Sequence, residues 1–145
     1  MKVRFKKLTD QATMPSYAKP GDAGLDMTAF SYVTDPNNQT INYHTGIAVE
    51  IPEGYVGLLF PRSSVYKTDL ILSNCVGVVD SGYRGEIVFK YKMPTKAYFA
   101  SLRRFEVGDR VGQLIILPYP QIELEEVLEL SETERGVAGF GSTGK

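Results

Sequence analysis

The chain has 145 residues, the size of a single domain, and its 43% apolar and 23% charged residues are typical of a globular protein. A net charge of −1 excludes a sequence-independent affinity for nucleic acid or for an anionic membrane. No apolar run is long enough for a signal peptide or a bilayer span. The sequence therefore predicts a soluble, cytoplasmic protein.

Cysteine and histidine are too scarce for several kinds of site. The single cysteine, Cys75, excludes an intrachain disulfide; it lies in an apolar run, where we expect a small buried side chain in a reducing compartment. The single histidine, His44, lies in a polar stretch. This inventory indicates neither a Cys/His metal cluster nor a Ser-His-Asp triad.

Short apolar runs that alternate with polar residues recur along most of the chain, and Pro, Gly and Asn separate them. In chain order, the predicted strands lie around residues 3–5, 25–30, 47–51, 55–60, 74–79, 87–91 and 111–117, with turns or extended loops at 14–21, 35–38, 52–54 and 108–109. Only 63–70 and 124–130 have helical potential, and both are short. Many strands with little helix predict an all-β barrel or sandwich.

Residues 77–86 join two of these runs, and the pattern predicts a β-hairpin with a turn longer than two residues. Asp80, Tyr83 and Arg84 lie between glycines in that turn. Because glycine lets a ligand approach the main chain closely, an acid and an aromatic ring beside bare backbone suggest a small binding niche. Taken alone, an ordinary polar turn is the better interpretation.

Two further segments have the chemistry of phosphate binding. Arg62 offers a planar fork of donors beside Ser63 and Ser64, although a plain serine at a helix start is an equally good interpretation. Residues 135–145 combine four glycines with two hydroxyls, two cations and Phe140. Such a segment cannot form a core strand, so it is either a disordered tail or an arm that closes over a flat ligand, and Phe140 favours the arm. A turn that leads into a strand fully explains an acid at Asp26. Its carboxylate would equally contact a metal ion through water.

Five segments, 23–29, 61–64, 77–86, 108–113 and 135–144, occur in an order that resembles the five motifs of the homotrimeric dUTP pyrophosphatases (dUTPases). The third and fifth are highly specific, and the resemblance spans nearly the whole chain. It implies a jelly-roll-like distorted β-barrel with at most one or two short helices at 1–130, and a flexible Gly-rich arm at 131–145 that closes over the active site. It also implies a homotrimer whose active sites lie at the subunit interfaces.

The resemblance further implies hydrolysis of dUTP to dUMP and pyrophosphate, which limits uracil incorporation into DNA and supplies dUMP. Asp80 matches the carboxylate that activates water for attack on the α-phosphorus. Mg²⁺ is expected on the triphosphate, with Asp26 reaching it through water. The residues that match uracil and deoxyribose contacts are Asn74, Gly77, Tyr83, Val88 and Phe140. Those that match phosphate contacts are Arg62, Ser63, Ser64, Gln113, Arg135, Gly141, Ser142 and Thr143.

The sequence departs from the family pattern at five positions. Leu25, Ser64, Gly82, Gly112 and Ala138 stand where the family usually has an aromatic residue, Gly, an acid, Ala and Gly, respectively. None of these changes removes a group that is assigned to the chemistry.

Two alternatives of different kinds remain. The related dCTP deaminases share the fold but need a different acid/base set to displace an amino group. A non-catalytic nucleotide sensor or protein-binding member of the same fold is the second alternative. The Asp80 and Tyr83 turn together with the arm favours the pyrophosphatase over the deaminase, and a binding role remains open as an addition to catalysis.

Overall fold

The computed structural model describes residues 1–93 and 102–138. Within those ranges the chain forms nine strands and one short 3-10 helix. In chain order they are β1 (Arg4–Lys7), β2 (Leu25–Thr28), β3 (Ser31–Asp35), β4 (Thr40–Glu50), β5 (Tyr55–Phe60), the 3-10 helix (Ser63–Lys67), β6 (Ile71–Leu72), β7 (Gly77–Val79), β8 (Glu86–Lys92) and β9 (Arg110–Pro118). In the described ranges, no helix has the length and apolarity needed to cross a membrane. The all-β prediction is confirmed.

The strands form two antiparallel sheets. In the first, β1 and β3 pair with different parts of β4, β8 pairs with β4, and β6 pairs with β8. The second has the order β2-β9-β5-β7. Strands that are far apart in sequence are neighbours in space, since Leu25 lies opposite Leu114 and Thr40 opposite Lys92. The sheets therefore depend on long-range pairing.

Both sheets contribute side chains to one core. The rings of Tyr43, Tyr91 and Phe105 pack edge to face, with centroids 5.6–5.9 Å apart. The two phenols also find acceptors, because Tyr43 donates to the Phe105 carbonyl at 3.0 Å and Tyr91 to the Val111 carbonyl at 2.7 Å. Burial raises the pKa of both phenols above its ordinary value, so both stay protonated donors at physiological pH.

The predicted hairpin around residues 77–86 is wrong. β7 pairs with β5 in the second sheet, whereas β8 pairs with β4 and β6 in the first. The turn between them therefore crosses from one sheet to the other. Alternation in a sequence indicates which side chains are buried, but it does not indicate which strand supplies the hydrogen bonds.

Three smaller predictions need correction. Cys75 is exposed rather than buried, because the chain passes it in a turn at φ 59° and strand structure begins only at Gly77. The helical potential at 63–70 is realised only as the 3-10 helix. Residues 124–130 form no helix; Leu124, Leu128 and Leu130 are exposed there, so no buried face stabilises one.

The predicted arm is described only in part. Residues 131–138 are exposed and contain a turn in which Gly136 donates its amide to the Thr133 carbonyl. Phe140, Gly141, Ser142 and Thr143 lie outside the described residues. The boundary at 130/131 therefore stays a prediction.

Candidate active site

A cavity of about 270 Å³ opens where β7 and β8 diverge into their two sheets; we call it the turn cavity. Its lining residues are Leu59, Asn74, Gly77, Val78, Val79, Asp80, Tyr83, Glu86, Ile87 and Val88. The structure thus brings together the predicted water-activating acid and the four described residues that were predicted to contact uracil or deoxyribose.

Backbone contacts shape the turn that carries Asp80. The Tyr83 amide donates to the Asp80 carbonyl at 3.0 Å, and the Tyr83 hydroxyl donates to the Glu86 carbonyl at 3.0 Å. The ring lies so close to Gly85 that a Cβ atom there would overlap it. Arg84 caps the turn, donating from Nη1 to the Ser81 carbonyl at 2.6 Å and to the Tyr83 carbonyl at 2.8 Å. The turn therefore holds Tyr83 against the main chain while Asp80 faces solvent.

The floor of the turn cavity depends on Gly77. A Cβ atom at this position would lie 2.9 Å from Leu59 Cβ and 3.2 Å from the side-chain nitrogen of Asn74. Any larger residue would push Asn74 or the β5 strand away. The main chain of Gly77 lines the cavity without a side chain of its own, so a flat ring can approach it closely.

Glu86 is a site residue that the sequence analysis did not single out. Its Oε1 accepts the Gly46 amide at 2.7 Å, and its Oε2 lies 2.9 Å from His44 Nδ1. Both partners belong to β4, where the register with β8 shifts between His44 and Ala48. The carboxylate thereby anchors the start of β8, directly after the turn. No local pattern indicates this role, since its partners lie about 40 residues away along the chain.

A second group of polar side chains surrounds Asp26, which is only 5% exposed. Its Oδ1 accepts from Arg62 Nε at 2.9 Å and from Gln113 Nε2 at 3.1 Å, and its Oδ2 accepts from Arg110 Nη1 at 2.9 Å. We call these four residues the Asp26 cluster. One carboxylate and two guanidiniums leave the cluster with a net charge of +1.

The Asp26 cluster borders a cationic cavity of about 300 Å³. It is lined by Arg62, Ser64, Lys67, Thr68, Arg104, Phe105, Asp109 and Arg110. Four cations, one acid and two hydroxyls form a suitable environment for phosphate oxygens. Ser63 begins the 3-10 helix and is exposed. Arg110 is a second residue that the sequence analysis missed, because Gly108-Asp109-Arg110 reads as an ordinary turn.

The two cavities have no lining residue in common. Arg135, the one predicted phosphate contact of the arm that is described, is exposed and donates from Nε to the Ala138 carbonyl at 3.1 Å. The structure of one chain thus does not bring Asp80, Arg62 and Arg135 into a single cavity.

The surroundings of Asp26 favour contact with a divalent ion through water over direct coordination of the ion. Both of its oxygens already accept hydrogen bonds from cationic or amide donors, so an ion bound directly would compete with two guanidiniums. Among residues 1–93 and 102–138, no group of three or more His, Cys, Asp or Glu side chains is placed to hold a metal. Mg²⁺ commonly keeps several waters and uses one carboxylate together with substrate phosphates, and Asp26 suits that mode.

An all-β domain with an acid, an aromatic ring and a glycine main chain in one cavity, and several guanidiniums lining another, has groups that suit a nucleotide hydrolase. The comparison with known families specifies the class further. The dUTPase family model matches residues 10–144, and the chain belongs to that family.

Individual proteins agree with this assignment. The deoxyuridine 5'-triphosphate nucleotidohydrolase of Clostridioides difficile is 38% identical over 143 residues, covering 98% of this chain and 97% of the relative. The dUTPase of Staphylococcus bacteriophage 80alpha, solved with dUPNHPP, superposes with a TM-score of 0.84 at 34% identity and covers 99% of both chains. A point mutant of the dUTPase from phage phi11 of S. aureus, whose structure is described as revealing the coordination of a structural Mg(II) ion, has a TM-score of 0.75 at 31% identity over 89% of this chain and 98% of that one.

Proposed function

We propose that the protein hydrolyses dUTP to dUMP and pyrophosphate, with Asp80 activating the water that attacks the α-phosphorus. The observation that carries the proposal is the turn cavity, in which Asp80 and Tyr83 lie beside Asn74, Gly77 and Val88. Asp80 is exposed and its turn is held by backbone hydrogen bonds, so the carboxylate can reach one water in line with the scissile bond.

The same cavity is proposed to select the nucleoside. The main chain that lines the cavity and the Asn74 amide are proposed to offer donors and acceptors to the edge of uracil, in a fit that excludes the 5-methyl group of thymine. The Tyr83 ring, held by its bond to the Glu86 carbonyl, packs against the deoxyribose so that a 2′-hydroxyl would clash. Phe140 is proposed to cover the base from the arm at 131–145.

Phosphate binding is assigned to residues in and around the cationic cavity and to the arm. We propose that Arg62, Ser63, Ser64 and Gln113 contact the triphosphate, together with Arg135, Gly141, Ser142 and Thr143 of the arm. Because the turn cavity and the cationic cavity have no residue in common, a homotrimer with the active site at each subunit interface would unite them. A monomeric mass in light scattering would contradict this assembly.

Mg²⁺ is the proposed cofactor, associated with the substrate phosphates and reached by Asp26 through water. When bound, the ion neutralises charge on the phosphates as pyrophosphate leaves. Asp26 contributes a buried carboxylate at the edge of the cationic cavity, where it pairs with Arg62 and Arg110.

The test is pyrophosphate release from dUTP, dCTP, dTTP and UTP by the purified protein, with and without EDTA. We expect turnover on dUTP alone and its loss with EDTA. Ammonia release from dCTP would instead identify a deaminase. Nucleotide binding with no product from any of the four would identify a non-catalytic sensor.

A further inference from the structure

The guanidinium of Arg62 pairs with the Asp26 carboxylate through fewer hydrogen bonds than such a pair can form. Arginine and carboxylate frequently pair through two parallel hydrogen bonds. Arg62 forms only one, from Nε to Asp26 Oδ1 at 2.9 Å, among the hydrogen bonds of the described residues. Its side chain is 23% exposed and lines the cationic cavity. The terminal nitrogens of its guanidinium are thus left for a ligand.

Another pair in the same chain shows the alternative. Arg103 engages Asp69 with two guanidinium nitrogens, Nε at 3.1 Å and Nη2 at 2.5 Å from Oδ1. The second oxygen of Asp69 receives only the Arg103 backbone amide. In the described parts of the chain no other cation donates to Asp69, and the Arg103 guanidinium places two nitrogens on one oxygen.

Arg110 supplies the competing cation at Asp26. Its Nη1 donates to Oδ2 at 2.9 Å, and both Gln113 and Arg62 donate to Oδ1. Arg110 reaches Asp26 from β9, where it pairs with Thr28 beside a register shift in β2. Because Oδ1 already accepts two donors, a second nitrogen of Arg62 would have to share Oδ2 with the like charge of Arg110.

We propose that Arg110 is a positioning residue for phosphate binding: by placing a second guanidinium on Asp26 Oδ2, it disfavours a second bond from Arg62 to Asp26 and keeps the terminal nitrogens of Arg62 free for a phosphate of the substrate. This inference rests on the proposed phosphate role of Arg62. It assigns Arg110 an effect through Arg62 rather than a contact of its own with the ligand.

The first test is a double-mutant cycle with Arg62→Met, Arg110→Met and the double variant, measuring the affinity of the intact protein for dUPNHPP and for deoxyuridine. Loss of a charge-assisted bond is expected to weaken dUPNHPP binding roughly ten- to hundredfold in Arg62→Met. Arg110→Met should lose about tenfold, and the double variant should bind within about twofold of Arg62→Met, since one effect passes through the other. Deoxyuridine, which has no phosphate, should bind all variants alike.

Controls separate this role from a structural one. Arg103→Met removes an arginine–carboxylate pair outside the cationic cavity and should leave dUPNHPP affinity unchanged. Arg110→Lys keeps one donor for Oδ2 and should recover most of the affinity lost in Arg110→Met. A crystal structure of Arg110→Met, or of Arg110→Lys if the first variant folds poorly, gives a direct measure. We expect Arg62 to make two hydrogen bonds with Asp26 in Arg110→Met and one in Arg110→Lys.

Four results would overturn the proposal. Multiplying losses in the double variant would make Arg110 a phosphate ligand in its own right. Unchanged affinity in Arg110→Met, or two Arg62–Asp26 bonds in Arg110→Lys, would remove the positioning role while the proposed function stands. Unchanged affinity in Arg62→Met would remove the phosphate role of Arg62 itself, even if dUTP hydrolysis is observed.

Discussion

The turn cavity and the Asp26 cluster are built in opposite ways. In the turn that carries Asp80, the hydrogen bonds of Tyr83 and Arg84 span one to three residues and involve backbone carbonyls. In the Asp26 cluster, the partners lie 36, 84 and 87 residues away along the chain and meet through charged or amide side chains. Substitutions in the turn should therefore alter chemistry with little effect on stability, whereas substitutions in the cluster should alter both.

Asp80→Asn gives the largest expected effect and tests the first half of this comparison. The change keeps the size of the side chain but removes the base, so kcat on dUTP should fall by about a thousandfold or more. The affinity for dUPNHPP and the urea midpoint should be unchanged. The exposed acid Asp10 is the matched control, and Asp10→Asn should behave as wild type. Retained turnover in Asp80→Asn would assign the base to another group.

Asp26→Ala tests the second half. Removing the buried carboxylate leaves two guanidiniums without their partner, and the free energy of unfolding should fall by about 2–3 kcal/mol. The value lies below that of a fully buried pair, because the side chains of Arg62 and Arg110 are 23% and 49% exposed. Urea unfolding measures it, and phosphate affinity should weaken in the same variant. A stability equal to wild type would mean that the cluster does not tie its strands together.

Gly112→Ala adds a methyl group between Val111 and Gln113, at the edge of the cluster. A Cβ atom here would overlap the Phe89 ring, which is 1% exposed and cannot move into solvent. Overpacking of this kind costs about 1–3 kcal/mol, measured as a lower urea midpoint. Phe89→Leu in the same chain should recover part of the loss. Equal stability of Gly112→Ala and wild type would show that the core adjusts freely at this point.

Tyr83→Ala is the smallest expected effect and returns to the turn. Loss of the ring should relax discrimination between dUTP and UTP by roughly tenfold in kcat/KM, because the wall against the 2′ position is removed. Stability should change by no more than about 0.5 kcal/mol, as for other surface positions. Tyr83→Phe keeps the ring but loses the bond to the Glu86 carbonyl, and it should give an intermediate selectivity. If Tyr83→Ala retains full selectivity, the sugar-packing role is wrong.

Much of the turn cavity could be predicted because its parts are adjacent in sequence. Asp80, Tyr83 and the glycines around them belong to one ten-residue stretch, so a local motif was sufficient to identify them. The same stretch also gave the wrong prediction of a hairpin, since a strand–turn–strand pattern does not reveal that its strands join different sheets. Cys75 was misjudged for a related reason: apolar neighbours predicted a strand, but the chain turns there before β7 begins.

The sequence by itself determined the all-β class, the dUTPase resemblance and the residues proposed to carry chemistry, because strand periodicity and contiguous motifs are local properties of the chain. Only the tertiary structure decided which groups touch. Arg110 lies beside Asp26 because β9 pairs with β2, and Glu86 reaches His44 and Gly46 because β8 pairs with β4. A buried charge must find its partners wherever the folded chain supplies them, and the energy that selects those partners is not encoded in any short segment.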